Sequence, residues 1–133
     1  MGARKAAYAL LSGDATVTGL VSTRIYPTVL PQDKTLPALV YQRISGVEPG
    51  QIDGQGRALV QARIQITALA DSFGSCAEIL DAAREALIYQ YGTHGGVEVV
   101  SIIRDIDGAD DFDPELQAYS QSMDVVVTYI ETQ

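Results

Sequence analysis

The sequence predicts an α+β domain of two layers: a mostly antiparallel four-stranded sheet, one main helix packed across it, and a short helix at the N-terminus. Three observations lead there. Residues 60–68 alternate apolar and polar side chains without a break, which marks a strand with one buried and one solvated face. Residues 76–91 carry an apolar stripe at helical spacing. The candidate strands fall in two pairs joined by loops rather than helices, so neighbours run antiparallel and the helix lies on one side. At 133 residues the chain is expected to form one domain, residues 1–133, large enough for a core without disulfide or metal support.

Residues 3–12 read as the short helix, with Ala6, Ala7, Leu10 and Leu11 on one face and alanine as the strongest helix former. Ser12-Gly13-Asp14 ends it. Asp14 can cap a second short turn reaching Leu20 and Val21. The next stretch carries Pro27, Pro31 and Pro37, and proline fixes its own φ and restricts the residue before it. This segment is therefore extended, and it suits bracing a sheet edge or presenting a binding surface. It leads into a strand over residues 36–45. Residues 46–57, with Gly46, Pro49, Gly50, Gly54 and Gly56, form a loop longer than a hairpin needs.

The alternating strand follows, with Val60, Ala62, Ile64, Ile66 and Ala68 on one face and Gln61, Arg63, Gln65 and Thr67 on the other. The main helix opens at Asp71-Ser72, or at Ser75, which forms a capping-box pattern with Glu78. Cys76, Leu80, Ala83, Leu87 and Tyr91 make its core stripe, widened by Ile79 and Ala86, and Gly92, Gly95 and Gly96 end it. Residues 97–105 are a strand, residues 107–115 (DGADDFDPE) an acidic loop, and residues 117–131 the last strand.

Composition narrows the function classes. The net charge is −8, and the nine basic residues are scattered along the sequence. Tight binding to a phosphate backbone needs clustered Lys and Arg, so nucleic-acid adhesion is not expected. No run approaches the roughly 18 apolar residues of a membrane span. The apolar run after Arg4 and Lys5 stops at Leu11, too soon for a secretory signal. With one cysteine there is no disulfide framework.

Catalytic constellations are not found. His94 is the sole histidine, and Cys76 lies about five helical turns upstream on the core stripe, which separates nucleophile from base. One Cys and one His do not make a zinc site. Gly50, Gly54 and Gly56 suggest a phosphate loop. However, Arg57-Ala58 replaces its Lys-Ser/Thr ending, and Leu59 stands at the third glycine of the dinucleotide fingerprint. The acidic run from Asp105 to Glu115 is the best metal candidate, since calcium takes oxygen ligands from flexible loops. It fails the EF-hand template, which has Asp110 at its glycine position and Leu116 at its terminal Glu position. No catalytic, cofactor or metal residue is assigned. Tyr26, Tyr41, Tyr119 and Tyr129 lie in extended segments, where tyrosine serves equally as half-buried core or interface contact.

The order helix, Arg24-Ile25-Tyr26-Pro27, Pro31-Gln32, Pro37 with Val40-Tyr41-Gln42-Arg43, Gly/Pro loop, alternating strand and main helix, with Asp113-Pro114-Glu115 ahead of Tyr119, resembles the tail terminator and tail-completion (tail-to-head joining) proteins of long-tailed phages, prophages and gene transfer agents. The likeness covers nearly the whole chain. It implies a non-enzymatic virion protein assembled in the bacterial cytoplasm. Copies would form a ring, usually a hexamer, that caps the tail tube, stops its growth and presents a surface to the head connector. DNA would pass through the lumen without specific binding. On that footing Arg43, Gln51, Asp53, Gln55, Arg57, Arg63, Asp110, Asp111, Asp113 and Glu115 are expected at interface or lumen positions, with Arg43, Arg57 and Arg63 available for ion pairs between subunits. The alternative from another class is a small acidic ligand- or calcium-binding domain using residues 110–115.

Overall fold

A computed structural model describes residues 2–31, 35–51, 56–108, 110–115 and 117–132. Two N-terminal helices, α1 (Gly2–Ser12) and α2 (Ala15–Val21), precede a three-residue strand β1 (Ile25–Pro27) and a long hairpin of β2 (Ala38–Gln51) and β3 (Arg57–Ala70). Helix α3 (Phe73–Leu87) follows. The chain then runs through β4 (Gly92–His94), β5 (Val97–Asp107), β6 (Asp111–Asp113) and β7 (Ala118–Thr132). The strands form one seven-stranded sheet in the order β1-β2-β3-β7-β5-β4, with β6 pairing β7 beyond the end of β5. Only the β1–β2 pair is parallel. The α+β class and antiparallel character are as expected; the count of four strands is corrected to seven, and that of two helices to three. The three extra strands have three residues each, too few for an alternation to show in sequence.

Strand β3 is the spine. Each of its 14 residues is in register with β7, from Arg57 opposite Thr132 to Ala70 opposite Tyr119. Ala62, Ile64, Ile66 and Ala68 are fully buried, and they meet Met123, Val125, Val127 and Tyr129 of β7 on the same face. Helices α1 and α3 pack on that face. The buried side of α1 is built from Ala3, Ala6, Ala7 and Leu11, so its backbone approaches the sheet closely. At its start, a Cβ on Gly2 would stand 2.6 Å from the Tyr129 ring. In α3, Cys76, Ile79, Leu80, Ala83, Ala86 and Leu87 are buried as the stripe requires.

Local signals set the helix starts. The Asp14 carboxylate accepts from the Thr16 and Val17 amides at 2.9 and 3.0 Å, fixing the start of α2. Ser72, not Ser75, caps α3, accepting from the Ser75 amide at 3.2 Å. Tyr91 does not belong to the stripe. The helix ends at Leu87, Ile88 turns extended, and Tyr89 takes φ +63° so that its amide reaches the Ile102 carbonyl at 2.8 Å. Tyr91 is left 77% exposed. Gly95 and Gly96, expected to terminate that helix, form the two-residue turn of the β4–β5 hairpin, both with positive φ as such a turn demands.

The glycine-rich stretch is also mostly strand. Residues 46–51 continue β2, pairing Gly46 with Ala62, Val47 with Gln61 and Gln51 with Ala58. Register shifts between Arg43 and Ser45, and between Val47 and Gly50, absorb residues that a regular ladder does not accommodate, Pro49 among them. The acidic segment is an interrupted strand: β5 runs on to Asp107, and β6 resumes pairing at Asp111 opposite Ser120. The proline segment does brace a sheet edge, since β1 lies along Leu39, Val40 and Tyr41 of β2. Ile64→Ala should cost about 2–5 kcal/mol, because the vacated site sits between packed layers. Gln65→Ala, one residue along on the solvated face, should change stability by less than about 0.5 kcal/mol. Urea unfolding of the two variants checks the contrast.

Candidate assembly surface

The sheet has one face under helices and one face without them. On the uncovered face Arg63 is the organising residue. Its guanidinium contacts the Asp105 carboxylate and lies 3.3 Å from Asp124, so one side chain ties β3, β7 and β5 together. Asp105 is the residue left out of the ladder where β5 shifts register between Arg104 and Ile106. The bulge thus turns this carboxylate towards Arg63. The hydrogen bond that the guanidinium donates to Asp105 raises its already high pKa further. Arg63, expected to reach a neighbouring subunit, is therefore engaged within its own chain.

The other expected residues spread over the molecule. Arg43 is on β2 opposite Ile64, with its guanidinium covering Gly46. Gln51 ends β2, and Arg57, half-buried, opens β3 opposite Thr132. Asp53 and Gln55 lie outside the described residues, as does the side chain of Gln51.

Asp110 lines a cleft of about 210 Å³ between α3 and the β5–β6 break, shared with Arg84, Asp81 and Asp107. Arg84 is held there by Asp81 at 3.2 Å. Asp111 and Asp113 spend carboxylate oxygens on nearby amides, Phe112 at 2.8 Å and Glu115 at 2.9 Å, which shapes the turn into β7. Glu115 is exposed. Among the described residues no three His, Cys, Asp or Glu side chains are placed to hold a metal ion.

Sequence reasoning passed over the aromatic side chains beside this acidic segment. Tyr119 stacks on Phe73 at 4.4 Å and on Phe112 at 4.8 Å, and both phenylalanines are partly exposed. A phenylalanine flanked by Asp111 and Asp113 was the available signal. Also passed over were Ile103 and Ile106, about half exposed on β5.

Cys76 and His94 do not meet. The thiol sits in the first turn of α3, 3.2 Å from the Tyr119 carbonyl, whereas His94 lies past the far end of that helix and contacts the Tyr91 carbonyl at 2.8 Å. Burial pushes the Cys76 thiol above its ordinary 9.0. Burial does the same to Tyr41, helped by Tyr8, and to Tyr129, helped by Glu131, both above the ordinary 10.0. Two of the four tyrosines from extended segments, Tyr41 and Tyr129, are thus core residues.

The fold is α+β with a mostly antiparallel sheet, and the class of protein, structural tail completion proteins, follows from the family that the sequence matches. The family model described as tail completion protein gp17 matches residues 5–129, and the chain belongs to that family. Its members are structural, non-enzymatic tail completion proteins. Among solved structures, a chain from the virion of a native gene transfer agent particle has the same fold. The TM-score is 0.73 at 16% identity, covering 95% of this chain and 92% of that one. No curated protein matches the sequence.

The raised pKa values of Cys76, Tyr41 and Tyr129 act in one direction. A group whose folded pKa lies above its unfolded value contributes stability that is complete below the unfolded value and is lost as pH rises through the folded one. The urea midpoint should therefore hold steady from neutral pH towards 9.0 and decline above it. Cys76 should resist alkylation in the folded chain at pH 8 and react on unfolding, which mass spectrometry of iodoacetamide-treated protein measures.

Proposed function

We propose that this chain acts at the junction of tail and head in a phage-like virion, as a ring of several copies, six in the assembled particle. The ring caps the tail tube, ends its polymerisation and offers the surface on which the head connector docks. The observation that carries this reading is the family match over residues 5–129, supported by the fold likeness to a chain of a gene transfer agent virion. The whole chain serves as one domain in this role.

The partners are further copies of the chain, the tail tube protein and a head connector protein. A charge of −8 suits a passage through which DNA slides, because a like-charged wall gives phosphates nothing to adhere to. Residues 51–57 between β2 and β3, and the acidic segment from Asp110 to Glu115, are the contact or lumen positions in this reading. No metal or cofactor takes part.

Electron microscopy of particles produced without this protein tests it. Tails of uncontrolled length are the expected outcome. Tails of normal length without heads would restrict the role to joining, and intact infectious particles would overturn the proposal.

A further inference from the structure

Strand β5 changes register against β7 twice. The first shift, between Val99 and Ser101, leaves Val100 out of the ladder and puts both Val99 and Ile102 on the helix-covered face, where both are buried. The second, between Arg104 and Ile106, leaves out Asp105 and has the opposite effect. Counting by twos from Ile102, an unbroken strand would turn Arg104 and Ile106 towards the helices and Ile103, Asp105 and Asp107 away from them. As folded, Ile106 stands opposite Asp124 on the helix-free face and is 56% exposed. The inward place opposite the buried Met123 is held by Asp107.

That place suits an apolar side chain better. The cleft of about 210 Å³ between α3 and the β5–β6 break is lined by Ala77, Leu80 and Met123 as well as by Asp107. A cavity of roughly 150 Å³ holds a benzene ring, so the side chain of an isoleucine has room here. The chain beyond can adjust. The ladder is already interrupted after Asp107 and resumes only at Asp111, so a residue taken into the ladder at Asp105 passes its surplus into that break. Nor does a second strand hold this stretch. Strand β4 covers β5 only at Val97, Glu98 and Val99, and the Tyr89 amide reaches the Ile102 carbonyl. From Ile103 onward the outer edge of β5 carries no strand among the described residues, and the same holds for β2 beyond Tyr41.

Opposing effects of similar size act on the bulge. Arg63 keeps Asp105 out of the ladder, but a partly exposed ion pair is a weak restraint. Burying isoleucine favours the unbroken strand. Against it, the unbroken strand sets Asp105 directly opposite Asp124, and like charges facing each other across strands repel. It also gives up the hydrogen bond that the Gly108 amide donates to the Ser122 carbonyl at 2.7 Å.

We propose that the end of β5 exchanges between two registers. In the outward register, the one described, Arg63 pins the bulge and Ile106 is exposed. In the inward register the bulge is lost, Ile106 pairs with Met123 and its side chain fills the cleft. The exchange alters what the open edge offers to a partner. Outward, Ile103 and Ile106 share the helix-free face; inward, Ile103 remains there alone. The device needs no second copy of the chain and stands apart from the ring reading.

Nuclear magnetic resonance of the isotope-labelled chain tests it, because the registers differ in cross-strand neighbours. The outward register gives contacts from Ile106 to Asp124. The inward register gives contacts from Ile106 to Met123 and from its methyl groups to Leu80. In the unaltered chain, relaxation dispersion on the millisecond scale is expected at residues 105–108 and 122–124. Ile106→Asp should abolish it, since a third carboxylate does not enter a cleft already lined by Asp81 and Asp110. That variant should otherwise keep its spectrum and urea midpoint, because the replaced side chain is exposed. Asp105→Val removes the pin and the facing charges together, and should make the inward register the main form. If the valine variant does not fold, Asp105→Asn takes its place, raising the inward population up to about fivefold, the weight of one exposed ion pair.

The proposal is overturned if the unaltered chain shows no dispersion at these residues, or if Ile106→Asp leaves the dispersion in place. It is equally overturned if the folded Asp105 variant keeps Ile106 opposite Asp124 with no gain in contacts to Met123. None of these outcomes touches the ring reading, which particles made without the protein decide.

Discussion

The unbroken ladder between β3 and β7 is the constraint on which the structure depends. Its period of two places Ala62, Ile64, Ile66 and Ala68 beside Met123, Val125, Val127 and Tyr129, and this strip is where α1 and α3 are seated. A slip of one residue would turn all of these outward and bring Gln61, Arg63 and Gln65 under the helices. The cost of burying those polar groups unpaired makes the register strongly specified. Strands β2 and β5 take their registers from this pair, and their irregularities are tolerated because the centre has none.

The opposite face follows from the same alternation. It carries amides, hydroxyls and the Arg63 cluster and has no helix over it. The cluster links this face across its centre: one guanidinium spans three strands through Asp124 and the bulge-presented Asp105. As a partly exposed arrangement it adds little stability by itself. Its effect is positional, holding β5 against β7 where a register shift would otherwise loosen the pairing. A tail completion protein needs surfaces that dock reproducibly, and a braced sheet with short edge strands and bulges provides them without being an indiscriminate template for strand addition.

Much of this was readable from single residues. The run from Val60 to Ala68 specified β3 and its buried face, Asp14 specified the start of α2, and the stripe from Cys76 to Leu87 specified the buried side of α3. Tyr91 continued that stripe in sequence yet lies outside the helix, because the Tyr89 amide found a better partner in the Ile102 carbonyl. Gly95 and Gly96 end a helix as plausibly as they turn a hairpin; the pairing of His94 with Val97 decided for the hairpin. Strands β1, β4 and β6 had no legible period, since each exists through its neighbour's hydrogen bonds and not through its own side chains. Of the expected contact residues, Arg63 had a readable charge but an unreadable partner. Asp105 is 42 positions away in the chain and reaches it only through a bulge.

The sequence by itself determined the class of fold, the four long strands, the main helix and the short N-terminal one, the buried face of the central strand and the family resemblance, because each of these rests on local periodicity, capping chemistry or residue pattern. Tertiary structure alone decided which edges stay half open, how the three short strands pair, and where Arg63 spends its charge. Those features depend on which distant segments lie side by side, and spacing along the chain carries no record of that.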